Sequence, residues 1–109
     1  MAELKFATKK YHWTKHVEEK MRYYNLSESR VKRVFRHPHR VEEGVAENTT
    51  AAMQTAGSKK HPYEVWMMYQ INEQAIQVIS AWRYPGKSKP GEVVPVPDDI
   101  LAELGINKG

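Results

Sequence analysis

Few residues in this chain are equipped for chemistry, and those that are favour phosphate. With no Cys among 109 residues, thiolate nucleophiles, disulfides, iron–sulfur clusters and cysteine zinc sites are excluded. There is no Walker loop, no GxGxxG, no HExxH, no GxSxG and no EF-hand loop. What remains is His, Lys, Arg, Glu and Tyr, a set that can cleave RNA without a cofactor. In that reaction the 2′-hydroxyl must lose a proton and the leaving oxygen must gain one, while the pentavalent phosphate needs positive charge beside it. His16 and Lys20 are four residues apart, so they share a face if both are helical. His61 follows Lys59-Lys60, and Arg83-Tyr84 closes a strand-like run. His16 and His61 are therefore the candidate acid and base, with Lys20 and Arg83 as phosphate stabilisers. Lys15, Arg36, Arg40, Lys59, Lys60 and Tyr84 are candidates to track an RNA backbone and its bases. A plainer reading stands beside this one, in which His16 caps its helix and Arg83 pairs with a Glu.

A metal centre is a weaker prospect. His12 and His16 have an i, i+4 ligand spacing, but Thr14 as N-cap would leave His12 outside the helix. His37 and His39 flank Pro38 in an extended segment, where neighbouring residues point to opposite sides. No Asp precedes Asp98. Scattered surface histidines are the simpler explanation, so neither a metal nor a cofactor is expected.

The elements that must position these groups can be read from periodicity. Residues 1–13 suggest an extended arm or an edge strand. Thr14 caps a first helix over 15–24, with Val17, Met21 and Tyr24 on one stripe. Ser27 caps a second, with Leu26 and Val31 spaced as a hydrophobic staple; Pro38 ends it near Arg36. The period then changes to two. Weak strands are expected over 41–46 and 51–55, and a strong one over Tyr63–Ile71, with Val65 and Met67 facing one way and Trp66 and Met68 the other. Asn72-Glu73 turns into a last strand through Trp82, where Ile79 and Ala81 break parity and call for a bulge or for cover on both faces. Residues 85–96, rich in Pro and Gly, resemble a linker, and Pro97–Gly105 a short helix within a C-terminal tail, 97–109. The expectation is an α+β domain over 1–84, with two helices ahead of a four-stranded antiparallel sheet and a short C-terminal helix. Trp66 and Trp82 belong in the core of a domain with only two Phe; exposed, they would form a base-stacking platform.

Charge is uneven along the chain. The total is +4 and the isoelectric point about 9.3. Residues 1–40 carry eleven Lys and Arg against four Glu, a net of +7, and residues 41–109 a net of −3. Such asymmetry suits a polyanionic partner, although solvated helix faces would produce it too. No stretch approaches the roughly 18 apolar residues of a membrane span, and the N-terminus lacks a signal peptide's apolar core, so a cytoplasmic location without membrane contact is expected.

The run Thr14-Lys15-His16-Val17-Glu18-Glu19-Lys20-Met21-Arg22 is followed by Asn25-Leu26-Ser27 and by Val31, Val34, Phe35, His37 and Pro38. It resembles the T-x-H-x-x-x-[KR]-M opening of a small prokaryotic family whose two helices precede a β-meander ending in V-x-T-x-[WY]-R. Val78-Ile79-Ser80-Ala81-Trp82-Arg83 looks like that ending, with Ser in place of Thr. The likeness spans residues 11–84, and its motifs are short. By element order the family is similar to toxins of the BrnT and RelE/ParE kind. The resemblance implies a metal-independent endoribonuclease toxin acting on RNA, on the ribosome or off it, and neutralised by a partner antitoxin. It carries functional roles onto His16, Lys20 and Arg83. Lys20 replaces a more usual Arg, keeping charge but losing bidentate phosphate geometry. Two rivals stand beside it: a non-catalytic nucleic-acid-binding module that uses the same basic face, and a protein-interaction subunit that docks through residues 86–109 without using the basic residues. A cluster of His16, Lys20, His61 and Arg83 within reach of one phosphate would favour the enzyme; dispersal would favour a rival.

Overall fold

Thr14 joins the first strand to the first helix. In the computed structural model, which describes residues 9–106, its hydroxyl accepts from the Val17 amide at 3.1 Å and donates toward the Val78 and Ile79 carbonyls at 3.2 and 3.3 Å. One side chain thus caps a helix and ties it to the sheet. The strand before it, β1 (Lys10–Trp13), runs parallel to the last strand, and α1 (Lys15–Tyr23) follows. Ser27 caps α2 (Glu28–Arg36) by accepting from the Arg30 amide at 3.0 Å. Then come β2 (Arg40–Glu43), β3 (Thr50–Gly57), β4 (Pro62–Ile71), β5 (Ala75–Pro85) and α3 (Asp98–Glu103).

The five strands form one sheet in the order β1-β5-β4-β3-β2. The α+β class therefore holds, but the sheet is mixed and five-stranded rather than four-stranded and antiparallel. The added strand is β1, which pairs Lys10 with Ala75 and Trp13 with Val78. It covers only the first half of β5; α1 packs along the rest.

A bulge in β5 sets which side chains face which layer. Met68 pairs with Ser80 and Tyr69 with Val78, leaving Ile79 unpaired. Before the bulge Ile76 and Val78 are buried; after it, Ala81 stays on the helix side while Ser80 and Trp82 turn to the other. Val17, Met21, Leu26, Val31 and Val34 cover Val65, Met67, Val78 and Ala81 on the first face. On the second face Val94 and Ile100 cover Trp66, Met68 and Trp82. The two indoles are fully buried and stacked, 6.0 Å between centroids at 5°. Residues 86–97, which hold no helix or strand, lie with α3 against this second face. Among the described residues, no helix is long and apolar enough to cross a membrane.

Candidate functional site

Of the four candidate catalytic residues, the fold brings two together. His16 and Lys20 form an i, i+4 row on α1, and an i, i+4 row on α3, Asp99 and Glu103, meets it. Lys20 Nζ lies 2.8 Å from Asp99 Oδ2 and 2.6 Å from Glu103 Oε2, and the residue is only 8% exposed. His16 Nδ1 lies 3.8 Å from the same Glu103 oxygen, and its Nε2 shares a hydrogen bond with the Ser80 hydroxyl at 3.0 Å. Ser80 is fully buried, placed there by the bulge.

The electrostatics follow from the geometry. Burial holds the His16 imidazole below its usual range, with Glu103 working against the shift. Hydrogen bonds to Asp99 and Glu103 raise Lys20, and the bond from Lys20 lowers Asp99. At neutral pH the set is a neutral imidazole beside a fixed ammonium and two carboxylates. A neutral imidazole bonded to a hydroxyl can take or return a proton.

Arg83 does something else. Its Nε donates to the Tyr24 carbonyl at 2.7 Å and its Nη2 to the Asn25 carbonyl at 3.2 Å, closing the C-terminal end of α1, and its guanidinium stacks 4.9 Å over the Tyr63 ring. His61 is exposed in the loop before β4. Met68, the partner of Ser80, lies six positions along β4 from Pro62, roughly 20 Å of extended chain. His61 thus lies apart from His16 and Lys20, while the Arg83 guanidinium is engaged by the end of α1 and the Tyr63 ring.

The candidate backbone-tracking residues divide as well. Sheet register puts the end of β3, the start of β4, the end of β5 and the entry to β2 side by side. That end carries Arg36, His37, His39, Lys59, Lys60 and His61, all exposed. The opposite end holds the 44–49 and 72–74 loops, with Glu43, Glu47 and Glu73 exposed beside Lys10 and beside Lys9, whose ammonium donates to the Asn72 and Glu73 carbonyls. The basic cluster joins Arg36 from the first 40 residues to Lys59 and Lys60 from the remainder, so the fold assembles it from both parts of the chain. Gly57 makes the tight turn into the Lys59-Lys60 loop; its φ is +80°, and an added Cβ would strike the His61 carbonyl. Lys15 is exposed at the start of α1, away from this end, and Tyr84 is half-buried against the second core cluster.

Arg40 is turned inward. Its guanidinium lies 4.9 Å over Trp66, pairs with Glu42 at 3.0 Å, and donates to the Ser88 carbonyl at 3.2 Å and hydroxyl at 2.9 Å. Glu64, 1% exposed, accepts from Trp66 Nε1 at 2.9 Å, the Ser88 amide at 2.9 Å and the Ser88 hydroxyl at 2.6 Å. These bonds fasten residues 86–97 to the sheet. Trp82 Nε1, beside them, is buried with no hydrogen-bond partner among the described residues.

Sequence reasoning did not single out Ser80, Asp99, Glu103, Glu64 or Ser88 for a site. Two signals were present: the i, i+4 acids in the last helix repeat the His16/Lys20 spacing, and Glu64 interrupts an apolar run. Among the described residues, no group of three or more His, Asp or Glu is placed to hold a metal ion. Compared with family models, curated proteins and solved structures, the chain has no match.

Proposed function

We propose that this protein binds RNA, gripping the phosphate backbone across the basic end of its sheet, in a toxin-like role of the RelE/BrnT kind that a partner antitoxin neutralises. The observation that carries the reading is the register that gathers Arg36, His37, His39, Lys59, Lys60 and His61 at one end of the sheet. Glu42 and Glu64, which neighbour that end, are spent on Arg40 and Ser88. Cationic side chains on short loops suit a flexible backbone. The toxin setting, the cytoplasmic RNA target and the antitoxin come from the resemblance over residues 11–84. Binding is preferred to cleavage because His16, Lys20, His61 and Arg83 do not face one phosphate.

Metal-independent cleavage is the second reading, and one observation favours it. His16 is held neutral with Nε2 3.0 Å from a hydroxyl and Lys20 on the same face, which are the parts of an acid–base centre.

Incubating the purified protein with total cellular RNA in EDTA, with complex formation read by filter binding and products by gel, separates the two. Retained, intact RNA is the expected result. Fragments that disappear in His16→Ala would establish the second reading, and neither retention nor fragments at low salt would refute both.

A further inference from the structure

Lysine is among the residues least often buried, yet Lys20 is 8% exposed beneath a helix of only six residues. That helix has no side-chain N-cap, and residues 86–97 leading to it contain no regular element. What α3 brings to the contact is negative charge, with two carboxylates on Lys20 and one of them also 3.8 Å from His16. Below lies the Ser80 hydroxyl. An ammonium and an imidazole N–H facing a pair of anionic oxygens, the imidazole held from behind by a hydroxyl, is a donor set that can hold a phosphodiester. The sheet face beneath α3 also carries aromatic rings, buried here by Val94 and Ile100. The stacked Trp66 and Trp82 lie on the same sheet face, with the Arg40 guanidinium over Trp66 and the unpartnered Trp82 indole N–H. Bases stack on such rings where they are uncovered, which here requires Val94 and Ile100 to move away with α3.

We propose that Lys20 and His16, the latter oriented by Ser80, form a phosphate site for single-stranded RNA, and that α3 occupies it in this structure, with Asp99 and Glu103 in the place of phosphate oxygens. This rests on the RNA-binding reading above and adds a second contact, on the sheet face that α3 covers. RNA and α3 then compete for the same cations.

The test is a fluorescence-anisotropy titration of a short labelled oligouridylate with the full-length protein, comparing wild type with Asp99→Asn/Glu103→Gln. These replacements keep side-chain size and remove only the anions. The double variant is expected to bind about tenfold more tightly, and adding Lys20→Ala should cancel the gain. A control, Glu43→Gln/Glu47→Gln, changes net charge equally at the far end of the sheet and should give less than half the gain on a logarithmic scale. Unchanged affinity, an equal gain in the control, or a gain that survives Lys20→Ala would overturn the proposal. Lys59→Glu/Lys60→Glu separates the two claims. If it abolishes wild-type binding while the Asn/Gln variant shows no gain, the basic end is the RNA site and the covered site falls. If wild type does not bind and the Asn/Gln variant does through Lys20, the covered site stands and the basic end falls.

Discussion

Lys20 and Asp99, 79 residues apart in sequence, meet at 2.8 Å and join the first helix to the last. Through this pair, and through Glu103 beside it, the C-terminal segment becomes the second layer of the fold.

Breaking that pair should cost less than its short distance suggests. The Asp99 and Glu103 side chains are 51% and 44% exposed and stay hydrated when released. Lys20→Met is expected to lower unfolding free energy by about 1 kcal/mol in urea titrations, and Asp99→Asn by less, because Glu103 still holds the ammonium. A loss several times larger would mean that the pair carries the second core layer alone.

Arg83→Met should destabilise the fold, since it removes two hydrogen bonds to the end of α1 and a stacked cation from Tyr63. The expected loss is about 2 kcal/mol. Hydrogen exchange should quicken first at Asn25 and Leu26, whose amides bond to carbonyls in the last turn of α1. Wild-type exchange there would show that Arg83 is not the clamp.

Glu64→Gln tests the anchor of the 86–97 segment. The carboxylate accepts three bonds in a buried site, whereas an amide offers one oxygen and presents donors to donors. A loss of about 2–3 kcal/mol is expected, with a red shift of tryptophan emission as water reaches Trp66. An unchanged spectrum would contradict the anchoring role.

Acid should loosen the α1–α3 contact through His16. Burial, its largest influence, depresses the imidazole below its ordinary 6.5, reinforced by Lys20 and opposed by Glu103, Glu19 and Asp99. The unfolded chain therefore takes up this proton at higher pH than the folded one. Stability from His16 is full above about 6.5 and is lost progressively as pH falls toward the lower folded value. His16→Gln should flatten the dependence of Tm on pH in that window. The ion pair acts outside it: lowered Asp99 withdraws its contribution below its ordinary 3.8, and raised Lys20 above its ordinary 10.5.

Local features were legible because their causes are local. Thr14 and Ser27 each cap the helix that their position indicates, and the Pro38 stop is real. Opposite parity for Val65 and Trp66 along β4 places them in different core clusters. The broken alternation at Ile79 is a bulge covered on both faces. What could not be read is pairing over distance. β1 joins the sheet beside residues 75–78, and no local pattern marks a four-residue parallel strand. Each i, i+4 row was visible on its own helix, but sequence does not say which rows meet. Residues 85–96 resemble a linker because the partner that satisfies the Ser88 amide is a buried carboxylate 24 residues away.

The central claim is that RNA is held by phosphate contacts at the basic end of the sheet, and its most direct test is the salt dependence of RNA affinity for wild type beside Lys59→Glu/Lys60→Glu. Log K is expected to fall linearly with log salt, by roughly 0.7 for each phosphate neutralised, and the variant to lose at least about tenfold in affinity and one to two phosphates' worth of slope. Affinity indifferent to salt, or a variant whose slope and affinity match wild type, would contradict it.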